Sequence, residues 1–213
     1  RTLEGARYYT QWSGAPRYVV SKSNGANDYN DDINTRSLYT NWLAGGSSYI
    51  PNKEGLKVPI ELTLGVHSDA GVKADGTTVG TLSICTTQQG NPTLGTGLSR
   101  NVSQVFANQL VTNAKRDIEG TFKKVWNTRG VKDANYSETR LPEVPSAIIE
   151  TLSHQNFGDM RLGQDPNFKF TLARSIYKSI LRHTASLHKR PYIVQPLAPD
   201  NFRIEYVSKD KVR

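Results

Sequence analysis

The sequence predicts an α/β domain built on an open, mostly parallel sheet with helices on both faces. Three observations predict it. Short apolar stretches at residues 58–67, 79–86 and 144–149 are separated by segments with three-to-four-residue apolar spacing, which is the alternation of strands with helices. No tight hairpin signal joins one stretch to the next, which argues against a β-meander. The chain has 213 residues, 36% of them hydrophobic and 22% charged, enough for one well-buried core.

At the N-terminus, Leu3, Ala6, Arg7, Tyr9 and Thr10 recur at helical spacing, and Ser13-Gly14-Ala15-Pro16 stops the helix. Tyr18-Val19-Val20 reads as a short strand, and residues 21–30, rich in Asn, Asp, Ser and Gly, as a loop. A helix is expected over 32–43, with Ile33, Leu38, Tyr39 and Trp42 inward, Asp31 or Asp32 as N-cap and Gly45-Gly46 at its end. Residues 58–67 form the clearest strand, because Ile60, Leu62, Leu64 and Val66 alternate with Pro59, Glu61, Thr63 and Gly65. The strand over 79–86 holds Cys85. As the only cysteine it can form neither an internal disulfide nor a thiolate metal site, and it reads as a small buried hydrophobe.

Ser99 starts a helix to about residue 116, with Val102, Val105, Phe106, Gln109, Leu110 and Asn113 on its inner stripe. The near-continuous apolar run 144–149 reads as a strand covered on both faces. Asp165-Pro166 opens the last helix, 167–187, whose stripe is Phe168, Leu172, Ile176, Ile180 and Leu187. Pro191, Pro196 and Pro199 punctuate the segment after that helix, and residues 202–207 are strand-like. The organisation expected is one domain over 1–190, with 191–213 as a linker and the start of a further β domain or strap.

Composition narrows the partners. No apolar run is long enough to cross a membrane, and the first residues lack the apolar core of a signal peptide, so an exported protein would carry its signal upstream. The net charge of +8 invites a nucleic-acid reading, but the basic residues are thinly spread and no recognition motif accompanies them. No nucleic-acid partner is expected. The same charge would be drawn weakly to an anionic cell wall, or would serve solubility alone.

Open α/β sheets place their sites beyond the carboxyl ends of the strands. His67 ends one predicted strand and Glu150 another, and neighbouring strands would bring both side chains to one sheet edge. An imidazole can ligate zinc, and a nearby carboxylate can take a proton from water and pass it to a leaving amine. By residue type alone, a hydrogen-bonded structural His and an ion-paired or capping Glu remain alternatives.

The surrounding runs carry a resemblance. Glu61-Leu62-Thr63-Leu64-Gly65-Val66-His67-Ser68-Asp69-Ala70-Gly71 resembles an apolar strand ending in S-I-H-x-N-A. Pro145-Ser146-Ala147-Ile148-Ile149-Glu150-Thr151-Leu152-Ser153-His154-Gln155-Asn156 resembles P-x-V-L-V-E-x-G-F-L-S-N, with Asn156 six residues past the Glu. Asp159-Met160-Arg161-Leu162 with the helix after it resembles a closing N-x-x-E-x-x-x-L, and Arg36 with Asn41 resembles R-x-x-x-A-N. These blocks, spread over roughly residues 1–188, together resemble those of the zinc-dependent N-acetylmuramoyl-L-alanine amidases. The run from Glu4 to Pro16 is similar to a block of the divergent Bacteroidetes members labelled xanthan lyases, although nothing in the sequence marks a uronate site.

The resemblance implies the amidase fold, a Zn2+ cofactor held by His67 and by Glu4, and Glu150 as the catalytic carboxylate. It implies peptidoglycan as the substrate, cleaved between N-acetylmuramic acid and L-alanine, in the cell envelope (periplasmic or secreted). Asp69, Arg140 and Asn156 are expected around the site. The family's opening H-G-G-x-D-x-G block, with its first zinc ligand, does not occur here; the four histidines are His67, His154, His183 and His188. The sheet is therefore expected to lack its first strand. A catalytically degenerate wall-binding module and a polysaccharide-active enzyme stand as alternatives.

Overall fold

The computed structural model describes residues 5–195, 206–209 and 211–212. Its main sheet has four strands in the order β1 (Thr63–Asp69), β4 (Ser146–Ser153), β2 (Thr81–Cys85), β3 (Thr128–Asp133). β1 runs parallel to β4 and β2 parallel to β3, whereas β2 and β4 are antiparallel. Two of the three pairings are thus parallel, and the sheet is mixed at its centre.

One face of the sheet carries the main core. Leu64, Cys85, Ala147 and Ile149 pack on Phe106, Ala107 and Leu110 of α4 (Asn101–Phe122) and on Ile176 and Ile180 of α7 (Pro166–Leu187). Cys85 is buried and its thiol is pushed up to about 11 by that burial, so it packs as a hydrophobe and is not a nucleophile. α4 outruns the expected residue 116 because Ile118 joins Trp126, Phe168 and Leu172 in a second cluster. Of its expected stripe, Val105 is instead exposed.

The opposite face, with Leu82, Ile84 and Ile148, is covered by Ala134 and by α5 (Ser137–Arg140). Behind α5 lies α3 (Asp28–Ala44), whose buried face is polar except for Ala44 at its end. Thr35 Oγ1 donates to Val19 O at 2.8 Å, Ser37 Oγ to Ser137 O at 3.0 Å and Asn41 Nδ2 to Leu141 O at 2.8 Å. Asn41 also accepts Glu143 N at 2.9 Å, so one side chain ties α3 to the approach to β4. The expected inward set Ile33, Leu38, Tyr39 and Trp42 is only half-buried. Hydrogen bonds to backbone carbonyls fix this helix more than an apolar stripe does.

Several boundaries differ from expectation. Asn27 caps α3 by accepting Asn30 N at 2.9 Å, and Asp31 and Asp32 lie inside the helix. Tyr18-Val19-Val20 is not a strand but belongs to the short helix α2 (Arg17–Val20), where Val19 N and Val20 N bond back to Pro16 O. The valines are buried against α3, so burial in a helix produced the apolar run that resembled a strand. β1 begins at Thr63 because Lys57 N and Val58 N are already bound to Gly45 O and Leu43 O. Of the expected strand 202–207, residues 202–205 lie outside the described residues, and Tyr206–Ser208 pairs antiparallel with Lys211–Val212.

The loop from β1 to β2 is anchored from below by α6 (Phe157–Gly163). Asp159, fully buried, accepts Val79 N at 2.8 Å, Gly80 N at 3.0 Å and Ser153 N at 2.7 Å. Gly80 has φ +78°, and a Cβ there would lie 1.8 Å from Asn127 O, so only glycine allows this entry into β2.

Candidate active site

His67 and Glu150 are register partners on the adjacent parallel strands β1 and β4. Both are offered to the sheet face that α5 covers only in part. The imidazole of His67 lies back over Gly65, where a Cβ would sit 3.1 Å from its Nε2. A side chain at that position would crowd the ring, which would have to give by a few tenths of an ångström. Thr151 Oγ1 donates to His67 O at 2.8 Å and locks the strand ends together.

The third member is Glu138, on α5. Its Oε2 lies 2.9 Å from His67 Nε2, and its Oε1 accepts Arg36 Nη1 of α3 at 3.1 Å. Arg36 reaches on to Asp32 Oδ2 at 3.6 Å. The bond to Glu138 raises the proton affinity of His67, against the opposing effect of burial. Burial alone would push Glu138 up, but His67 and Arg36 together hold it below the usual glutamate range. Glu150 is shifted upward, chiefly by burial, with His67 opposing. Its Oε2 is buried without a hydrogen-bond partner among the described residues. A carboxylate of raised proton affinity with one unpaired oxygen is chemically fit to accept a proton and return it.

These residues line a cleft of about 820 Å3 between α3 and the sheet, with Lys22, Asn34, Asn135 and Arg140 on its walls. Among solved structures, the chain matches the CwlD amidase from Clostridioides difficile at 16% identity, over 78% of this chain and 69% of that one, with a TM-score of 0.51. It matches the N-acetylmuramyl-L-alanine amidase Ami1 from Mycobacterium smegmatis at 15% identity, over 73% of this chain and 61% of that one, with a TM-score of 0.50. The chain has the fold of these amidases. At such identities the likeness is one of fold, and the chain spans less than two thirds of Ami1. No protein-family model matches the chain, and no curated protein matches it by sequence.

Within this amidase fold the other expected site residues fall in different places. Arg140 lines the cleft. Asp69 pairs with Arg129 at 2.6 Å and accepts Ala70 N, at the outer end of β1. Asn156 is buried below the sheet edge, accepting Lys73 N at 3.0 Å and donating to Thr77 O at 2.9 Å, so it fastens the loop between β1 and β2. His154 Nδ1 meets Ser68 Oγ at 3.1 Å, and His188 pairs with Glu61 on the surface. Glu4 lies outside the described residues.

Glu138 belongs to no motif recognised in the sequence. A four-residue helix leaves no periodic trace, and only the fold carries this carboxylate to His67. The donor that suits a divalent metal is an imidazole nitrogen of His67, whose ring Glu138 holds through Nε2, with the unpaired Glu150 oxygen in the same cleft. Among the described residues no group of three His, Cys, Asp or Glu is placed to hold an ion.

Proposed function

We propose that this chain is the hydrolytic domain of a peptidoglycan amidase, cleaving the bond between N-acetylmuramic acid and L-alanine in the cell envelope. Residues 1–190 form that domain in this reading, with 191–213 as a linker and the start of a further β domain or strap. The observation that carries it is the pairing of His67 with Glu150 at one register level, inside a cleft, in a fold shared with amidases.

Zinc is the cofactor of this reading, with His67 and Glu4 as its ligands in the chain; when bound it acidifies a water and polarises the scissile carbonyl. Glu150 takes the proton of the attacking water on its unpaired oxygen and delivers it to the departing L-alanine nitrogen. Its raised proton affinity favours the first of these transfers, uptake from water. Glu138 keeps the imidazole turned into the cleft, and Arg36 steadies Glu138. We read the run from Glu4 to Pro16 as a likeness to the divergent Bacteroidetes amidase-like proteins labelled xanthan lyases.

The polypeptide carrying this chain, incubated with purified cell walls, tests the reading. Lysis that stops with a chelator, returns with zinc and is lost in both His67→Ala and Glu150→Gln supports it. Zinc-dependent lysis that survives both substitutions would sink it.

A further inference from the structure

Charge on the cleft walls is unevenly balanced. Arg36 is neutralised by Asp32 and Glu138. Asp31 is fully buried and committed to Ser23 N, Ser21 Oγ and Arg7, while Asp32 is held by Arg7 N and Arg36. Two cations remain. Lys22 Nζ meets only the amide oxygen of Asn34, at 3.2 Å, and Arg140 Nε only that of Asn135, at 2.6 Å. Among the described residues neither makes an ion pair, although both line the cleft that holds His67 and Glu150.

Both cations are held on prepared supports. Lys22 rides the short segment between α2 and α3, which Asp31 pins through Ser21 and Ser23. Arg140 ends α5, its backbone N–H bound to Tyr136 O at 2.8 Å, and α5 is fastened to α3 through Ser37 and Ser137. A side chain held by a neutral amide keeps its full charge while losing part of its freedom, which suits it to an incoming anion.

We propose that Lys22 and Arg140 form a carboxylate-binding subsite that selects anionic substrates for this cleft. Arg140 offers its guanidinium fork and Lys22 a point charge in the same cleft. A singly charged group fits better than a phosphate dianion, because Glu138 and Glu150 already place negative charge in the same cleft. The carboxylate could belong to a wall stem peptide or to an acidic glycan. Assigning it to the peptide rests on the amidase reading; the subsite itself does not.

The test is equilibrium binding at low ionic strength, with probes that hold no scissile sugar–peptide bond. These are an L-alanyl-D-glutamyl peptide as free acid, the same peptide as carboxamide, and an oligogalacturonate. The free acid should bind about ten-fold more tightly than the carboxamide, the factor expected of one charge-assisted contact. Lys22→Met and Arg140→Met should each remove about that factor at unchanged melting temperature, and Arg140→Lys should restore part of it. If only the oligogalacturonate binds, and does so through Lys22 and Arg140, the subsite stands and the peptidoglycan reading falls. Equal binding of acid and carboxamide, binding indifferent to both substitutions, or no binding of either anion overturns the proposal.

Discussion

Asp159→Ala should cost the fold a substantial part of its margin although it touches no substrate. The carboxylate is fully buried and accepts three backbone N–H groups, of Val79, Gly80 and Ser153, at 2.7–3.0 Å, and the amide of Asn156 at 3.3 Å. These donors belong to the start of β2, the end of β4 and the cap of α6, so one side chain joins three elements. Removal leaves the three N–H groups buried without an acceptor, at about 1 kcal/mol each after partial rescue by entering water, or about 3 kcal/mol in all, while Asn156 Nδ2 keeps Thr77 O. Domains of this size hold roughly 5–15 kcal/mol, and such a loss lowers the melting temperature by about 10 °C. Asp159→Asn retains one acceptor oxygen and should lose about half as much. Thermal and urea unfolding of the three proteins read this directly. Melting of Asp159→Ala within about 2 °C of the parent would refute the hub.

Other outcomes rest on the same geometry. His183 is buried against Phe106 with Nε2 unpaired, and burial lowers its pKa to about 4. Its folded pKa lies below the unfolded value of about 6.5, so the unfolded state binds more protons and stability falls as pH drops from 6.5 towards 4, by about 3 kcal/mol. His183→Leu should flatten that part of the urea-unfolding pH profile. Glu138→Gln should lower the titration midpoint of the His67 ring followed by NMR in metal-free protein, since the Glu138 hydrogen bond is the main cause of its upward shift. Gly80→Ala forces a Cβ onto Asn127 O at positive φ, and should cost about 2 kcal/mol or more in urea unfolding.

How much was legible in the sequence depends on the kind of signal each element leaves. β1 and β4 alternate or run apolar, so the sequence locates His67 and Glu150 on strands, but not the strand ends: β1 continues to Asp69 and β4 to Ser153, because their last residues are too polar to read as strand. Strand direction leaves no such trace, and the antiparallel pairing of β2 with β4 was invisible. β3 is a polar edge strand, with Arg129, Gly130, Lys132 and Asp133 exposed, and lacks the apolar pattern that marks a buried strand. α3 was expected to bury an apolar stripe but binds through Thr35, Ser37 and Asn41, whose partners lie up to 102 residues away. Glu138 was missed for the same reason, because its role exists only where α5 meets β1.

The most direct test is the rate at which purified peptidoglycan yields new L-alanine amino termini when treated with the zinc-loaded polypeptide carrying this chain. Glu150 as the proton carrier predicts release by the parent and a rate lower by about a hundred-fold or more in Glu150→Gln, with the melting temperature unchanged. Amino termini released equally fast by Glu150→Gln, or new reducing ends in place of alanine termini, would contradict it.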